Sequence, residues 1–125
     1  MTGVLLCFGL GYSGQALARE LTTFDWTVFG TTQSQDKTAS IAASGAEPVV
    51  WPGTAMVPFL DRATHLLISV APTADGDPVL RSLADQIAER RDQFEWVGYL
   101  STTGVYGDHQ GGWVDETTPL NPSTN

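Results

Sequence analysis

The apolar residues of this chain are grouped in short blocks and do not alternate with polar ones. Five such blocks lie at residues 3–8, 26–29, 48–51, 65–70 and 94–101. Near-continuous apolar runs of this length are typical of strands that are buried on both faces of a parallel sheet. The pattern therefore predicts five strands, the first of them buried on both faces.

The stretch after the first block has helical spacing. Residues 13–21 contain no helix breaker after Gly14, and they place Ala16, Leu17 and Leu21 at helical spacing. The order strand, glycine turn and amphipathic helix is therefore predicted at the start of the chain.

Two later stretches are less regular. Residues 34–44 predict a weak helix, with Ser34 as its N-cap and Gly45 just after its C-terminal end. Residues 51–62 contain two prolines and a glycine. A loop with at most one helical turn is expected there.

The last helix has the clearest start signals. Asp77 is a suitable N-cap, and Pro78 suits the first helical position, where no backbone N–H is needed. Arg90 and Arg91 fit the C-terminal end of the same helix. Its apolar face is predicted to consist of Val79, Leu80, Leu83, Ala84 and Ile87.

Strands that alternate with helices predict an α/β domain. Right-handed crossovers put helices on both faces of the sheet, so we expect a Rossmann-type, doubly wound parallel sheet with strand order 3-2-1-4-5. A length of 125 residues fits one domain over residues 1–125. The chain has no recognisable secretory leader and no apolar run of membrane-spanning length, so a cytoplasmic protein is expected.

The charge balance bears on the partners. Fourteen acidic residues stand against six basic ones, which gives a formal net charge of -8. Because such a chain repels phosphate backbones and anionic lipids, we expect a small-molecule substrate, with no nucleic acid and no membrane as partners. The single cysteine, Cys7, excludes an internal disulfide. No His, Cys, Asp or Glu set has metal-ligand spacing, so no metal site is expected.

A glycine-rich turn follows the first strand and opens the first helix. Its sequence is Gly9-Leu10-Gly11-Tyr12-Ser13-Gly14. In this position the pattern G-x-G-x-x-G allows a tight turn, close approach of N–H groups to a pyrophosphate, and close packing of helix on strand. A dinucleotide site is predicted here. The simpler alternative is a tight turn that binds no ligand.

The end of the second strand bears on the choice of cofactor. An enzyme that uses NAD usually has an Asp or Glu there, which bonds the ribose hydroxyls. This chain has the segment Gly30-Thr31-Thr32-Gln33-Ser34. Its hydroxyl groups, together with Lys37, could hold a 2′-phosphate, which favours NADP over NAD. An ordinary capped turn is the alternative.

Several segments together resemble one protein family. They are the glycine motif, GTTQS after the second strand, SVAP after the fourth, STTGVYGD after the fifth, and DETTPLNPS. This combination is similar to the extended short-chain dehydrogenase/reductase superfamily, the NAD(P)-dependent epimerase/dehydratase group. The resemblance implies hydride transfer between nicotinamide and a carbonyl or hydroxyl substrate, such as a nucleotide sugar.

The resemblance also implies residue roles. Thr102 stands four residues before the Tyr of VYG, where the family has a Ser or Thr that bonds the reacting oxygen. Thr103 and Tyr106 would face the substrate. The residues that would line the cofactor after the fourth strand are Ser69, Val70, Ala71 and Pro72.

The chain departs from the family pattern in two places. Phe8 stands where extended members have the first glycine of G-x-x-G-x-x-G. The family's Tyr-x-x-x-Lys pair, which supplies the general acid, is absent because Lys37 is the only lysine. The resemblance puts that tyrosine just beyond Asn125. We therefore expect an atypical member, present as an N-terminal fragment that lacks its substrate-binding portion and is inactive alone.

Two other functions are compatible with the same residues. One is a non-catalytic NAD(P)-binding sensor or regulator, which needs the glycine turn but no tyrosine and lysine pair. The other is a flavin enzyme, since the fold does not select the chemistry. A fifth strand at an open sheet edge would expose apolar surface, so a homo-oligomer is also expected.

Overall fold

The chain folds around one five-stranded sheet. The computed structural model describes residues 2–101 and 103–122. All paired strands are parallel, in the order β3-β2-β1-β4-β5, which confirms the predicted α/β sheet and its strand order. The strands are β1 Val4–Phe8, β2 Thr27–Thr32, β3 Glu47–Val50, β4 His65–Ile68 and β5 Trp96–Tyr99.

Helices connect the strands on both faces of the sheet. The α-helices are α1 Tyr12–Thr22, α2 Thr38–Ala43, α3 Val57–Arg62 and α4 Pro78–Glu89. Short 3₁₀ helices form at Gln35–Lys37 and Thr103–Tyr106. Among the described residues, no helix is both long enough and apolar enough to cross a membrane.

The central strands are buried on both faces. Leu6 and its partner Leu66 belong to the apolar cluster that includes residues of α3 and α4. Cys7 and its partner Leu67 belong to the opposite cluster, which includes residues of α1 and α2. Successive strand residues therefore enter different cores, and this explains why the strands appear in the sequence as continuous apolar blocks.

The segment before β4 is more helical than expected. A helix of six residues, Val57–Arg62, stands where at most one turn was predicted. Pro58 does not prevent the helix, because it lies in the first turn, where a backbone N–H has no intrahelical partner. Proline content alone was therefore a poor guide to this segment.

Some strand boundaries also differ from the predicted ones. β2 continues to Thr32, beyond the expected end at residue 29, because residues 30–32 pair with residues 48–50 of β3. β4 and β5 are shorter than the apolar blocks that predicted them, since their last apolar residues lie beyond the ladder. Hydrogen-bonded pairing with neighbouring strands sets these limits, and an apolar block in the sequence carries no information about that pairing.

Three predicted helix-end residues lie at the helix ends where the sequence placed them. The Asp77 carboxylate accepts hydrogen bonds from two first-turn N–H groups of α4 at 2.9 and 3.1 Å. Gly45 has φ +95° just after α2, as expected of a residue that ends a helix. Ser34 is the N-cap residue of the 3₁₀ helix Gln35–Lys37, as predicted, but its side chain makes no cap hydrogen bond. Its own N–H donates to Thr32 Oγ1 at 3.1 Å, which forms a hydroxyl-centred turn.

The sheet is only partly covered near its edge strand β5. Val79 and Leu83 of α4 are buried, but Leu80 and Ala84 are exposed, so the predicted apolar face was too wide. β5 is the edge strand beside β4, and Trp96, Val97 and Tyr99 are each about half exposed. α4 therefore covers the sheet with only a narrow stripe of its surface.

Candidate functional site

A cavity of about 370 Å³ lies at the carboxyl edge of the sheet. In parallel α/β sheets this edge is where ligands bind, at the point where strand order reverses between the first strand and its two neighbours. The turns after β1, β2, β3 and β4 all contribute to the wall. The lining residues are Gly9, Leu10, Gly11, Thr31, Thr32, Gln33, Ser34, Lys37, Trp51, Ser69 and Val70.

The glycine turn forms one side of this cavity. Gly9 has φ +83°, and a Cβ there would lie 3.0 Å from Val70 Cγ2 and 3.1 Å from the Ser69 carbonyl oxygen. A side chain at this position would therefore be strained by its own backbone and crowded by the turn after β4. The tight turn predicted for the first glycine is what the structure contains.

The second glycine leaves room above the turn. A Cβ on Gly11 would meet no atom of the described residues within 4 Å. Gly11 is the N-cap residue of α1, and the first helical hydrogen bond runs from Gln15 N–H to its carbonyl oxygen. The N–H groups of residues 12–14 come before that bond and lie at the positive end of the helix dipole. The start of α1 therefore combines open space with backbone N–H donors.

The third glycine permits close packing. A Cβ on Gly14 would lie 2.9 Å from Leu10 Cδ1 and 3.4 Å from Cys7 Sγ. Gly14 and Leu10 are both buried. The absence of a side chain at Gly14 therefore lets α1 approach β1, as the sequence pattern indicated.

The end of β2 forms the opposite wall. Thr31 Oγ1 accepts a hydrogen bond from Gly9 N–H at 2.8 Å, so this hydroxyl lies directly under the glycine turn. Gln33 is exposed and Ser34 is half-buried. Lys37, also exposed, is the one charged residue among the described residues that line the cavity. The wall therefore carries hydroxyl groups and one cation, with no carboxylate among those lining residues.

Trp51 is a lining residue that the sequence interpretation did not identify. It follows β3, is 8% exposed, and packs edge-on against Phe8 with ring centroids 5.3 Å apart. Its position at the carboxyl end of a predicted strand was a usable signal, because all such ends meet at one edge of a parallel sheet.

Five predicted cofactor residues lie outside the cavity wall. Tyr12 and Ser13 are exposed at the start of α1, and Gly14 is buried. Ala71 and Pro72 are exposed in the loop after β4. Ser69 and Val70, which precede them, do line the cavity. These assignments stay predictions.

The predicted substrate residues are only partly described. Thr102 lies outside the described residues. Thr103 begins the 3₁₀ helix that follows β5, and Tyr106 ends it. Tyr106 is half-buried, and its carbonyl oxygen lies 2.9 Å from His109 Nε2. Their roles toward a substrate stay predictions.

Two side chains near the sheet have perturbed pKa values. Burial raises the pKa of the Cys7 thiol to about 12, so this group stays protonated and is a poor nucleophile. Tyr99 donates a hydrogen bond to Asp77 Oδ2 at 2.7 Å, and this bond is the main reason that the pKa of Tyr99 is raised. Neither side chain lines the cavity.

The curated proteins that this chain resembles in sequence are longer than the chain. No family model matches the chain. Protein YeeZ of Escherichia coli (strain K12) is 32% identical over 130 residues, which covers 94% of this chain and 46% of YeeZ. The chain therefore spans about half the length of the curated relatives that it matches.

The chain is also similar to proteins of known structure. A functionally unknown conserved protein from Silicibacter pomeroyi DSS is 58% identical with a TM-score of 0.90, over 98% of this chain and 43% of that one. A putative NAD-dependent epimerase/dehydratase from Bacillus halodurans is 16% identical with a TM-score of 0.60, over 88% of this chain and 56% of that one. The fold is Rossmann-like. At such low identity, the second likeness bears on the fold alone.

Proposed function

We propose that this chain binds the nicotinamide cofactor of an NAD(P)-dependent oxidoreductase, epimerase or dehydratase, with NADP preferred. The observation that carries the proposal is the cavity where the glycine turn meets the end of β2. Both walls of that cavity carry groups suited to a dinucleotide. When bound, the nicotinamide would supply or accept hydride at a carbonyl or hydroxyl substrate.

The glycine turn is suited to the pyrophosphate. The open space above Gly11 leaves room for a phosphate beside the backbone, and the first-turn N–H groups of α1 are directed toward the start of the helix. Amide donors and the helix dipole both favour an anion there. An added acidic side chain at Gly11 would compete for the same space and repel the ligand.

The end of β2 is suited to a 2′-phosphate. In NAD enzymes a carboxylate at this position bonds both ribose hydroxyls and repels the extra phosphate. Here Thr32, Gln33 and Ser34 line the wall, and Lys37 adds a positive charge. Hydrogen bonds from a cation to phosphate are among the strong ones, so Lys37 is the residue from which we expect NADP preference.

The remaining predicted roles belong to the same proposal. Ser69 and Val70, which line the cavity, would contact the cofactor together with Ala71 and Pro72. Thr102 would orient the reacting oxygen of a small-molecule substrate such as a nucleotide sugar, and Thr103 and Tyr106 would face it. A cytoplasmic location and association into homo-oligomers through the exposed strand β5 complete the proposal.

The alternative is a non-catalytic sensor or regulator that binds NAD(P). This function needs the glycine turn but no Tyr-x-x-x-Lys pair, and within residues 1–125 the only lysine, Lys37, lines the cofactor cavity. Both functions need the same cofactor site. A Tyr-x-x-x-Lys pair beyond Asn125 would distinguish them, because its presence supports catalysis and its absence supports a binding role.

Calorimetric titration of the chain with NADPH and NADH tests the cofactor site. We expect NADPH to bind more tightly, and Gly11→Asp to weaken both ligands by about a hundredfold or more. Lys37→Gln should weaken NADPH by about tenfold and leave NADH unchanged. Arg91→Gln, which removes an exposed positive charge at the far end of α4, is the matched charge control and should bind like wild type.

Two results would contradict this proposal. If the wild-type chain binds neither nucleotide, either residues 1–125 lack an essential part of the site or the glycine turn is structural only. If NADH binds as tightly as NADPH and Lys37→Gln changes neither affinity, the cofactor site stands but the NADP preference is wrong.

A further inference from the structure

We propose that Thr31 is a positioning residue, whose side chain and carbonyl hold the glycine turn open for the pyrophosphate. The inference rests on the proposed cofactor site and adds a residue that acts on it indirectly. Thr31 was expected from the sequence to bind a 2′-phosphate. The contacts of its hydroxyl point to the turn instead.

The first observation is that one residue accepts two successive N–H groups of the turn. Gly9 N–H donates to Thr31 Oγ1 at 2.8 Å. Leu10 N–H donates to the Thr31 carbonyl oxygen at 3.0 Å. Thr31 is 2% exposed, so water does not compete freely for either bond. The turn is thus attached to β2 at two adjacent points.

The second observation is where this attachment lies. The paired residues of β1 and β2 run from Val4 and Thr27 to Cys7 and Gly30. Beyond that last pair the chain turns away through Gly9, which has φ +83°. Without the Thr31 hydroxyl, the Gly9 N–H would be left without its partner just where β1 leaves the sheet. The side chain of Thr31 therefore extends the link between the strands past the end of the ladder.

The third observation links the attachment to the ligand. Gly11 N–H donates to the Gly9 carbonyl oxygen at 2.9 Å, so the orientation of Gly9 is passed on to Gly11. Gly11 is the residue whose free space we assign to the pyrophosphate. A turn held in its binding conformation before the ligand arrives loses less entropy on binding. Removing the Thr31 hydroxyl should therefore weaken ligands that carry a pyrophosphate.

The fold contains a matched control for this bond. Thr64 Oγ1 accepts a hydrogen bond from Val4 N–H at 2.9 Å, at the opposite end of β1. Thr64→Val and Thr31→Val make the same chemical change, and each removes the acceptor of one N–H at an end of β1. Thr64→Val also removes a contact of 2.8 Å to His65 Nδ1. Only Thr31 lines the cavity. A purely structural role predicts that both variants lose stability and that neither loses affinity selectively.

Three ligands separate the possible roles of Thr31. NADPH carries both phosphate features, ADP carries the pyrophosphate alone, and adenosine 2′-monophosphate carries the 2′-phosphate alone. For Thr31→Val we expect NADPH and ADP to bind about tenfold more weakly, while adenosine 2′-monophosphate changes by less than about twofold. Thr31→Ser keeps the hydroxyl and should bind all three like wild type. Thr64→Val should also bind like wild type.

A second variant and a second measurement keep the test decisive if Thr31→Val folds poorly. Thr31→Ala also lacks the hydroxyl and should give the same ligand pattern. By nuclear magnetic resonance, amide exchange at Gly9 and Leu10 should be faster in either variant than in Thr31→Ser.

Several outcomes would overturn the inference. If Thr31→Val and Thr31→Ala weaken only the ligands with a 2′-phosphate, Thr31 contacts that phosphate directly. If all three ligands weaken alike, or none does, the hydroxyl has no selective effect on the turn. These outcomes require a wild-type chain that binds NADPH. Failure of the wild type to bind is different, because it removes the proposed function and this inference with it.

Discussion

The two ends of strand β1 are closed by the same chemical device but differ in what surrounds them. At the amino end, the Thr64 hydroxyl accepts Val4 N–H, and at the carboxyl end, the Thr31 hydroxyl accepts Gly9 N–H. A threonine from a neighbouring segment thus satisfies a backbone donor at each end. The hydrogen bonds alone do not tell which end is functional.

The difference lies in the space around the nearby glycines. A Cβ on Gly3, at the amino end, would lie 2.5 Å from the Trp26 ring, which also packs edge-on against His65. A Cβ on Gly11, at the carboxyl end, would meet nothing within 4 Å among the described residues. The amino end is filled by an aromatic side chain, whereas the carboxyl end opens into the cavity. Free space beside amide donors therefore distinguishes a candidate site from a strand end that is only closed.

The largest effect is expected from alanine at Gly9, with alanine at Gly3 as the comparison at the amino end. Gly9→Ala should lower the free energy of unfolding by about 2 kcal/mol, because φ +83° is unfavourable for alanine. It should also weaken NADPH by about tenfold or more, since the turn must shift. Gly3→Ala should cost about 1 kcal/mol through displacement of Trp26 and leave NADPH affinity unchanged. Urea denaturation and calorimetry measure both quantities.

Equal losses of NADPH affinity in the two glycine variants would break the comparison. Such a result would mean that the amino end reaches the cofactor site through the strand itself.

Removal of the amino-end hydroxyl should have the next largest effect. Thr64→Val leaves the Val4 N–H without its acceptor, and we expect a loss of about 1.5 kcal/mol in unfolding free energy. Thr64→Ser keeps the acceptor and should recover most of that loss. A Thr64→Val protein as stable as wild type would show that water replaces the hydroxyl at this end.

A third prediction concerns a part of the carboxyl edge that lies outside the cavity. Asp77→Ala removes the cap of α4 and the acceptor of the Tyr99 hydroxyl, so we expect a loss of about 1 kcal/mol in unfolding free energy. NADPH affinity should not change. A loss of affinity would extend the functional region from Ala71 and Pro72 to the start of α4.

The smallest predicted effect is a pH dependence at Tyr99. The bond to Asp77 favours the neutral phenol, so the pKa of Tyr99 is higher in the folded state than in the unfolded state. The stabilisation is therefore complete below the ordinary tyrosine pKa and is lost as pH rises through the folded value. Ultraviolet titration of the phenolates should give a lower Tyr99 pKa in Asp77→Asn, with Tyr99→Phe as reference. Identical titration curves for Asp77→Asn and wild type would contradict it.

Much of the fold was predictable from local patterns. The five apolar blocks predicted the five strands, because strands inside a parallel sheet need continuous apolar runs. The preference for right-handed crossovers then predicted the strand order. Gly45 and the Asp77-Pro78 pair marked helix ends, since their conformational preferences act within one turn. The glycine turn was likewise visible, because its pattern and its position after the first strand both lie in the sequence.

Other features depended on neighbours that are distant along the chain. Residues 30–32 belong to β2 because they pair with β3. Leu80 is exposed because only a narrow stripe of α4 packs against the sheet. The Thr31 hydroxyl bonds to Gly9, which is 22 residues away along the chain, because β2 lies beside β1. Trp51 lines the cavity because β3 lies beside β2. Local sequence specifies where a strand ends and which residues are there. Only the packed sheet decides which partner each side chain meets, because that choice depends on atoms contributed by other strands.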